Sequence, residues 1–334
     1  MPFVIEAMKN MDEREIFRFA NETTELPQTK RTIQWCMEEL NQDLSEHVKT
    51  SPYLHYTIPL SRMLINAKPS LIRDRQAEIL ELPALHPEAV HDFSERISLL
   101  SESPESLWNM LMDFCERENE KECISQMDIP HAHRLVEALA RGGTDVAEKV
   151  LEMLNEEIDF SLESPRELMQ GFVIRLAGEL RLTSAVPFLF KMLKSNYQWH
   201  SEVSKRALAQ IGGRDVLELV TKEFPTAHRS FKLCGIDILE KLHTENCVKK
   251  SLGLFNQEKD GEIKTFLGRA ILSHLSCEAV EPIRQYILES DNLESNKFAP
   301  EIGGLREALI AVCTLLEIDF PEFADWKQKS DKNR

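Results

Sequence analysis

Apolar residues along this chain recur at steps of one, three and four, the spacing of one helix face, and short polar turns separate the runs. IGGRDVLELVTKEF (211–224) shows the pattern: Val216, Leu217, Val220 and Phe224 form a stripe. Seventy residues earlier, RGGTDVAEKVLEML (141–154) writes the same opening. Each copy predicts the same local event. An apolar helix stops at glycine, which supplies a left-handed residue. Asp145 and Asp215 then cap the next helix by accepting its free backbone N–H groups, and Val146 and Val216 open its apolar stripe.

The unit recurs without the glycines. ELRLTSAVPFLFKML places Ser184 as cap and Val186 as first stripe residue. EKLHTENCVKKSLGLF offers Thr244 and Val248, and SHLSCEAVEPIRQYIL offers Ser276 and Val280, with Pro282 in the first turn. Val146, Val186, Val216, Val248 and Val280 stand 40, 30, 32 and 32 residues apart. A helix is predicted before each, over 134–139, 172–180, 203–211, 231–242 and 264–275, and a further pair over 305–316 and 321–327. Val-, Thr- and Tyr-rich alternating runs are nearly absent, so few or no strands are expected. Helix, turn, helix at a period of 30–40 residues predicts an all-α protein, an α-solenoid of stacked antiparallel pairs. Val186, Leu189, Val216, Val220 and Ile283 are expected to be buried between pairs.

SEVSKRALAQIGGRDVLELVTKEF resembles a HEAT-like (armadillo-like) repeat of the short bacterial type, also found in phycobilisome-lyase-related proteins. GFVIRLAGELRLTSAVPFLFKML and IKTFLGRAILSHLSCEAVEPIRQYIL are similar to it. The resemblance covers residues 131–290 and, more loosely, 291–330. Gly-Gly-Arg-Asp, Thr-Ser and Thr-Glu-Asn stand where that family usually has Asp-Pro. The resemblance implies that the second helix of each pair lines a concave face. Those helices and their flanks carry Lys191, Lys194, Lys222, Lys249, Lys250 and Arg284, with Glu218, Glu223 and Glu281 interspersed. Together with Trp199, in the turn KSNYQWHSEV, they are the candidate partner-binding residues. Trp199 reads either as a contact site or as a plug between repeats.

Residues 1–130 read as an irregular helical region, a continuation of the array or a cap for it, ahead of repeats over 131–330. TKRTIQWCMEELNQDLSEH puts Ile33, Met37, Leu40 and Leu44 on one stripe. SPESLWNMLMDFCERENEKE begins with Ser103 as cap and Pro104 at the first position, and buries Leu107, Met110, Leu111 and Phe114. Pro52, Pro59 and Pro69 predict short helices between them. Trp35 and Trp108 fall within apolar stripes and are expected in the core.

The formal net charge is −16, unevenly placed. Residues 1–160 carry 16 basic and 31 acidic side chains, and residues 161–290 carry 18 and 16. An overall acidic chain argues against phosphate-backbone binding. The near-neutral repeat segment keeps open a nucleic-acid protein resembling alkylpurine DNA glycosylases. A lyase-like or chaperone-like factor for a chromophore protein is a third reading, on family analogy alone. No phosphate-binding loop, dinucleotide fingerprint, zinc-protease or nucleophile-elbow motif occurs, so a non-enzymatic scaffold that uses its concave face is expected, without cofactor.

The seven cysteines are odd in number and form no C-x-x-C pair, which suits reduced thiols and a cytoplasmic protein. No basic–apolar leader opens the sequence and no apolar run could span a bilayer, so no membrane association is expected. Cys115, Cys123, His131 and His133 are ligand types zinc accepts, but their spacing fits no closed module, so core thiols and a helix start are expected instead. His86 and His91 are no better placed. The run Asp113 to Glu122 reads as a solvated helix end. The partner that fits a mildly basic groove is a protein or peptide with an acidic stretch.

Overall fold

The computed structural model describes residues 29–41, 53–119, 126–156, 165–195, 198–244, 246–291 and 299–332. It is all-helical: 83% of the described residues are helix and none is strand. No described helix is long and apolar enough to cross a membrane. The chain divides into two compact units, Met1–Leu107 and Trp108–Arg334, each taken by itself below.

The first unit contains α1 (Lys30–Leu40), α2 (Tyr53–Ile65), the single turns α3 (Pro69–Ile72) and α4 (Gln76–Leu80), and α5 (Pro87–Leu99). Thr29 and Thr32 form a reciprocal capping box that starts α1. α1 and α5 both pack on α2. Ile33, Trp35, Cys36, Met37 and Leu40 meet Leu60, Met63, Leu64, Phe93 and Ile97 in one apolar core. Leu44 and Pro52 lie outside the described residues. Pro59 does not shorten its helix: α2 runs through it for 13 residues. The buried Arg96 guanidinium instead ties off the α2 C-terminus by donating to the Ile65 carbonyl.

α6 (Pro104–Glu118) opens as predicted, with Ser103 Oγ accepting from Ser106 N–H at 3.1 Å. Trp108, Leu111, Phe114 and Cys115 are buried. Met110 is exposed instead, as is Met112, because the buried stripe runs through 107, 108, 111, 114 and 115. The acidic run is not wholly solvated either. Glu118 is buried and accepts from Asp128 N–H at 3.1 Å.

Twelve further helices follow within the second unit. They are α7 (Ile129–Leu139), α8 (Gly143–Asn155), α9 (Pro165–Glu179), α10 (Val186–Leu193), α11 (Gln198–Ile211) and α12 (Gly213–Glu223), then α13 (Arg229–Lys241), α14 (Cys247–Gln257), α15 (Gly261–Leu272), α16 (Cys277–Asp291), α17 (Ala299–Leu316) and α18 (Phe323–Lys332). Each odd-numbered helix packs on the next odd one: α7 on α9, α9 on α11, and so on to α17. Among the even ones, α12 packs on α14 and α14 on α16. The odd helices therefore make one row. Its members are buried on more than one face; α9 alone buries Leu168, Met169, Phe172, Val173, Ile174, Leu176 and Ala177. Small residues let the row close up. A methyl group at Gly178 would lie 2.7 Å from the Ala207 Cα of the next odd helix.

The valine stripe is buried at Val146, Val186, Val216 and Val280, as are Leu189, Val220 and Ile283. Val248 is one residue out of phase. Asn246 enters α14 in the left-handed region (φ 69°), so Cys247 faces the core and Val248 is only half-buried.

The glycine reading holds, with Gly143 at φ 59° and Gly212 at 62°. The capping assignments mostly do not. Asp145 and Asp215 lie in the first turns of α8 and α12 and cap neither; they favour the positive end of the helix dipole instead. Ser184 lies within a 3-10 turn before α10, and Thr244 precedes the cap position of α14. Ser276 does cap, accepting from Glu278 N–H at 3.3 Å, while Pro282 lies deeper inside α16 than its first turn. The caps that sequence reading missed are Asp128, His228 and Asp260, which accept from His131, Phe231 and both Glu262 and Ile263.

Candidate functional site

The candidate lysines and arginine lie on or beside even-numbered helices, and half of them are tied to neighbouring elements. Lys194 reaches Glu223 at 2.5 Å, and Lys250 reaches Glu218 at 2.5 Å. Arg284 grips Glu322 with two hydrogen bonds of 2.8 and 2.9 Å and also holds Glu281. Its guanidinium further stacks 5.7 Å over Phe320. Lys191, Lys222 and Lys249 are exposed and have no carboxylate within ion-pairing distance among the described residues.

The odd row has its own cross-links. Lys205 bridges Asp237 at 2.6 Å and Glu202 at 2.7 Å, and Arg229 reaches Asp260 at 3.1 Å and Glu262 at 2.6 Å. Lys232 and Glu258 pair at 2.7 Å, and Glu258 is 6% exposed. Hydrogen bonds between successive pairs span 29 residues for Lys194–Glu223 and 32 for Lys205–Asp237, while Lys232 closes its own pair by bonding Glu258 at the end of α14. Most exposed pairs are worth under about 1 kcal/mol each.

These pairs set the acid limit. Hydrogen bonds and nearby cations hold the carboxyls of Glu202, Glu218, Glu258, Glu281 and Glu322 below their ordinary value of 4.5, overcoming desolvation where it opposes them. A depressed folded-state pKa contributes stability that is present above 4.5 and lost as pH falls through the folded value. Thermal melting is therefore expected to fall already between pH 7 and 5, where the unfolded chain protonates His133, His200 and His274 while burial keeps them neutral in the fold, and to fall further below pH 4.5 as these carboxyls protonate. Lys232→Met should weaken that drop and lower stability at pH 7, since it strands the buried Glu258 carboxylate.

Trp199 is packed against the preceding odd helix. Its indole Nε1 overlies Gly171, where no side chain intervenes, and the ring meets Phe172 edge-on at 6.3 Å. Its neighbour His200 is fully buried and bonded to the Glu167 carbonyl at 3.3 Å; Tyr197 lies outside the described residues. Trp199 thus fills the space between α9 and α11.

Cys247 Sγ lies 4.0 Å from His274 Nε2, a pairing that could suggest an activated thiol. That nitrogen is instead 2.9 Å from the Leu239 carbonyl and donates to it, so it cannot take the thiol proton. Burial also pushes the Cys247 thiol up. Burial lifts the Cys115 thiol to about 12, which makes it a core group rather than a thiolate ligand. Cys123 lies outside the described residues. No group of three or more His, Cys, Asp and Glu side chains is arranged to hold a metal ion among the described residues.

One cluster was not anticipated. His133 on α7 faces Phe172, ring to ring at 6.4 Å. Burial and the guanidinium groups of Arg175, Arg206 and Arg134 lower its pKa to about 4. The three arginines come from α9, α11 and α7. Arg175 is half-buried; it lies 3.8 Å from Glu179, too long for a hydrogen bond, and its Nε is buried without a partner. The only hint in the sequence is an arginine inside the apolar run GFVIRLAG.

Comparison with protein-family models returned no match, and comparison with curated proteins returned none.

Proposed function

We propose that the Trp108–Arg334 unit is a HEAT-like α-solenoid that works as a binding scaffold for a protein or peptide partner. What supports this most is the agreement between period and packing. The sequence repeats at 30–40 residues. The odd helices pack in series, and hydrogen bonds tie one pair to the next at separations of 29 and 32 residues. Stacked pairs of this kind offer a long rigid surface whose side chains are set by the repeats rather than by mobile loops.

On this reading the even-row surface presents Lys191, Lys222 and Lys249 as its unengaged cations, while Lys194, Lys250 and Arg284 hold neighbouring elements together. The partner chemistry that fits is an acidic stretch, steered by the lysines and weakened by salt. Affinity capture from cells with wild-type protein and with the Lys191→Glu, Lys222→Glu, Lys249→Glu triple variant tests it. The variant should lose the partner at least tenfold while melting within about 0.5 kcal/mol of wild type, as exposed substitutions do. Capture of the same partner at an unchanged level would remove these lysines from the binding surface.

A further inference from the structure

We propose that Arg134, Arg175 and Arg206, gathered around His133 on three successive odd-row helices, form a binding site for a tetrahedral oxyanion of the phosphate-monoester class. The site is on the odd row, away from the even-row lysines, so its failure would leave the scaffold reading standing.

Three features converge. The first is the hydrogen-bonding state of Arg175. A guanidinium has five donors in a planar fork suited to phosphate. Arg175 makes no hydrogen bond among the described residues, and Glu179 stands off at 3.8 Å. A half-buried arginine with unused donors is costly without a ligand. Consistently, burial and then Arg206 outweigh Glu179 and Glu137 and lower the Arg175 pKa.

The second is the field at His133. The charged groups on these three helices are Arg134 and Glu137 on α7, Arg166, Glu167, Arg175 and Glu179 on α9, and Glu202, Lys205 and Arg206 on α11. After burial, what acts on His133 is Arg175, Arg206 and Arg134, and none of the carboxylates counters them there. Those acids have other work: Glu179 accepts from Gln210 at 3.1 Å, and Glu202 holds Lys205 at 2.7 Å and Arg206 at 3.1 Å. A doubly charged oxyanion would supply the opposite charge this position lacks, and His133 would gain a proton with it.

The third is rigidity. Phe172 is 1% exposed and braces His133 on one side, and it meets Trp199 and Phe114 edge-on at 6.3 and 5.8 Å. The α7, α9 and α11 backbones that carry the arginines are fixed by the same row packing. The cationic groups are therefore held in place before a ligand arrives, which lowers the entropic cost of binding it.

The test uses the full chain with ring-labelled histidine, followed by NMR between pH 5 and 7. Sulfate, doubly charged throughout that range, is the probe, with chloride at equal ionic strength as reference. His133→Gln assigns the resonance. In chloride the His133 ring should stay neutral across the range. In sulfate its pKa should rise by about one to three units, the effect of an opposite charge at close range, and the ring should titrate. Arg175→Gln, and independently the exposed Arg206→Gln, should each reduce the sulfate response at least threefold. An identical His133 titration in sulfate and chloride overturns the site. At pH 7, inorganic phosphate and a phosphoserine peptide then compete against sulfate. Tighter binding of the peptide assigns the site to a phosphorylated partner, and tighter binding of phosphate assigns it to the free ion.

Discussion

Val220→Asp is expected to cost about 4 kcal/mol or more and to leave the second unit largely unfolded at 37 °C. Val220 is fully buried on α12. Its side chain also lies on Gly235 of α13, where an added methyl would sit 3.3 Å from Val220 Cγ1. A carboxylate there would have no cation and no water. Two residues on, Lys222 is exposed and makes no ion pair among the described residues. Lys222→Ala should therefore change stability by less than about 0.5 kcal/mol. Urea unfolding of both variants checks the phase of the helix. Equal midpoints for the two would mean that α12 does not bury this face.

Gly178→Ala is expected to destabilise by about 3 kcal/mol, at the upper end for overpacking. The atom in the way is the Ala207 Cα at 2.7 Å, a backbone atom of the neighbouring odd helix, so relief requires α9 and α11 to separate. Gly253→Ala is the same substitution at an open position. Nothing lies within 4 Å of a methyl group there, and the residue is inside α14. Helix propensity then dominates, and a gain of about 0.5–1 kcal/mol is expected. Calorimetric melting of the pair gives shifts of opposite sign if the odd row is packed as described. Equal tolerance of both alanines would show that α9 and α11 do not approach so closely.

The helices and their buried valines could be read from spacing alone, because Val186, Val216, Val220 and Ile283 sit on amphipathic segments. Phase was lost where a backbone event moved the helix start. Asn246 in the left-handed region rotates α14 so that Cys247 takes the inward place given to Val248. Faces were illegible where a helix is apolar all round. α9 is buried on several sides, so periodicity could not tell which side carries Arg175.

The candidate lysines were visible as residues but not as paired or free. Glu223 and Glu218 belong to α12 and Glu322 to the turn before α18, and only folding brings them to Lys194, Lys250 and Arg284. The His133 cluster was missed for the same reason, since its arginines lie on three helices. The histidine was weighed as a metal ligand by its sequence neighbours, while its spatial neighbours are cations. Unlike a local motif, such a site has no spacing to recognise.

The central claim is that the helix pairs of the second unit stack in series. Spin labels at the exposed positions Gln210, Glu240, Arg269 and Glu307, on α11, α13, α15 and α17, test it by pulsed electron resonance. Packed helix axes lie about 8–10 Å apart. In a serial stack, Gln210–Arg269 should therefore give about 20 Å and Gln210–Glu307 about 30 Å, rising with each repeat. A Gln210–Glu307 distance equal to or shorter than Gln210–Arg269 would mean that the helices fold back on one another, and the solenoid would be wrong.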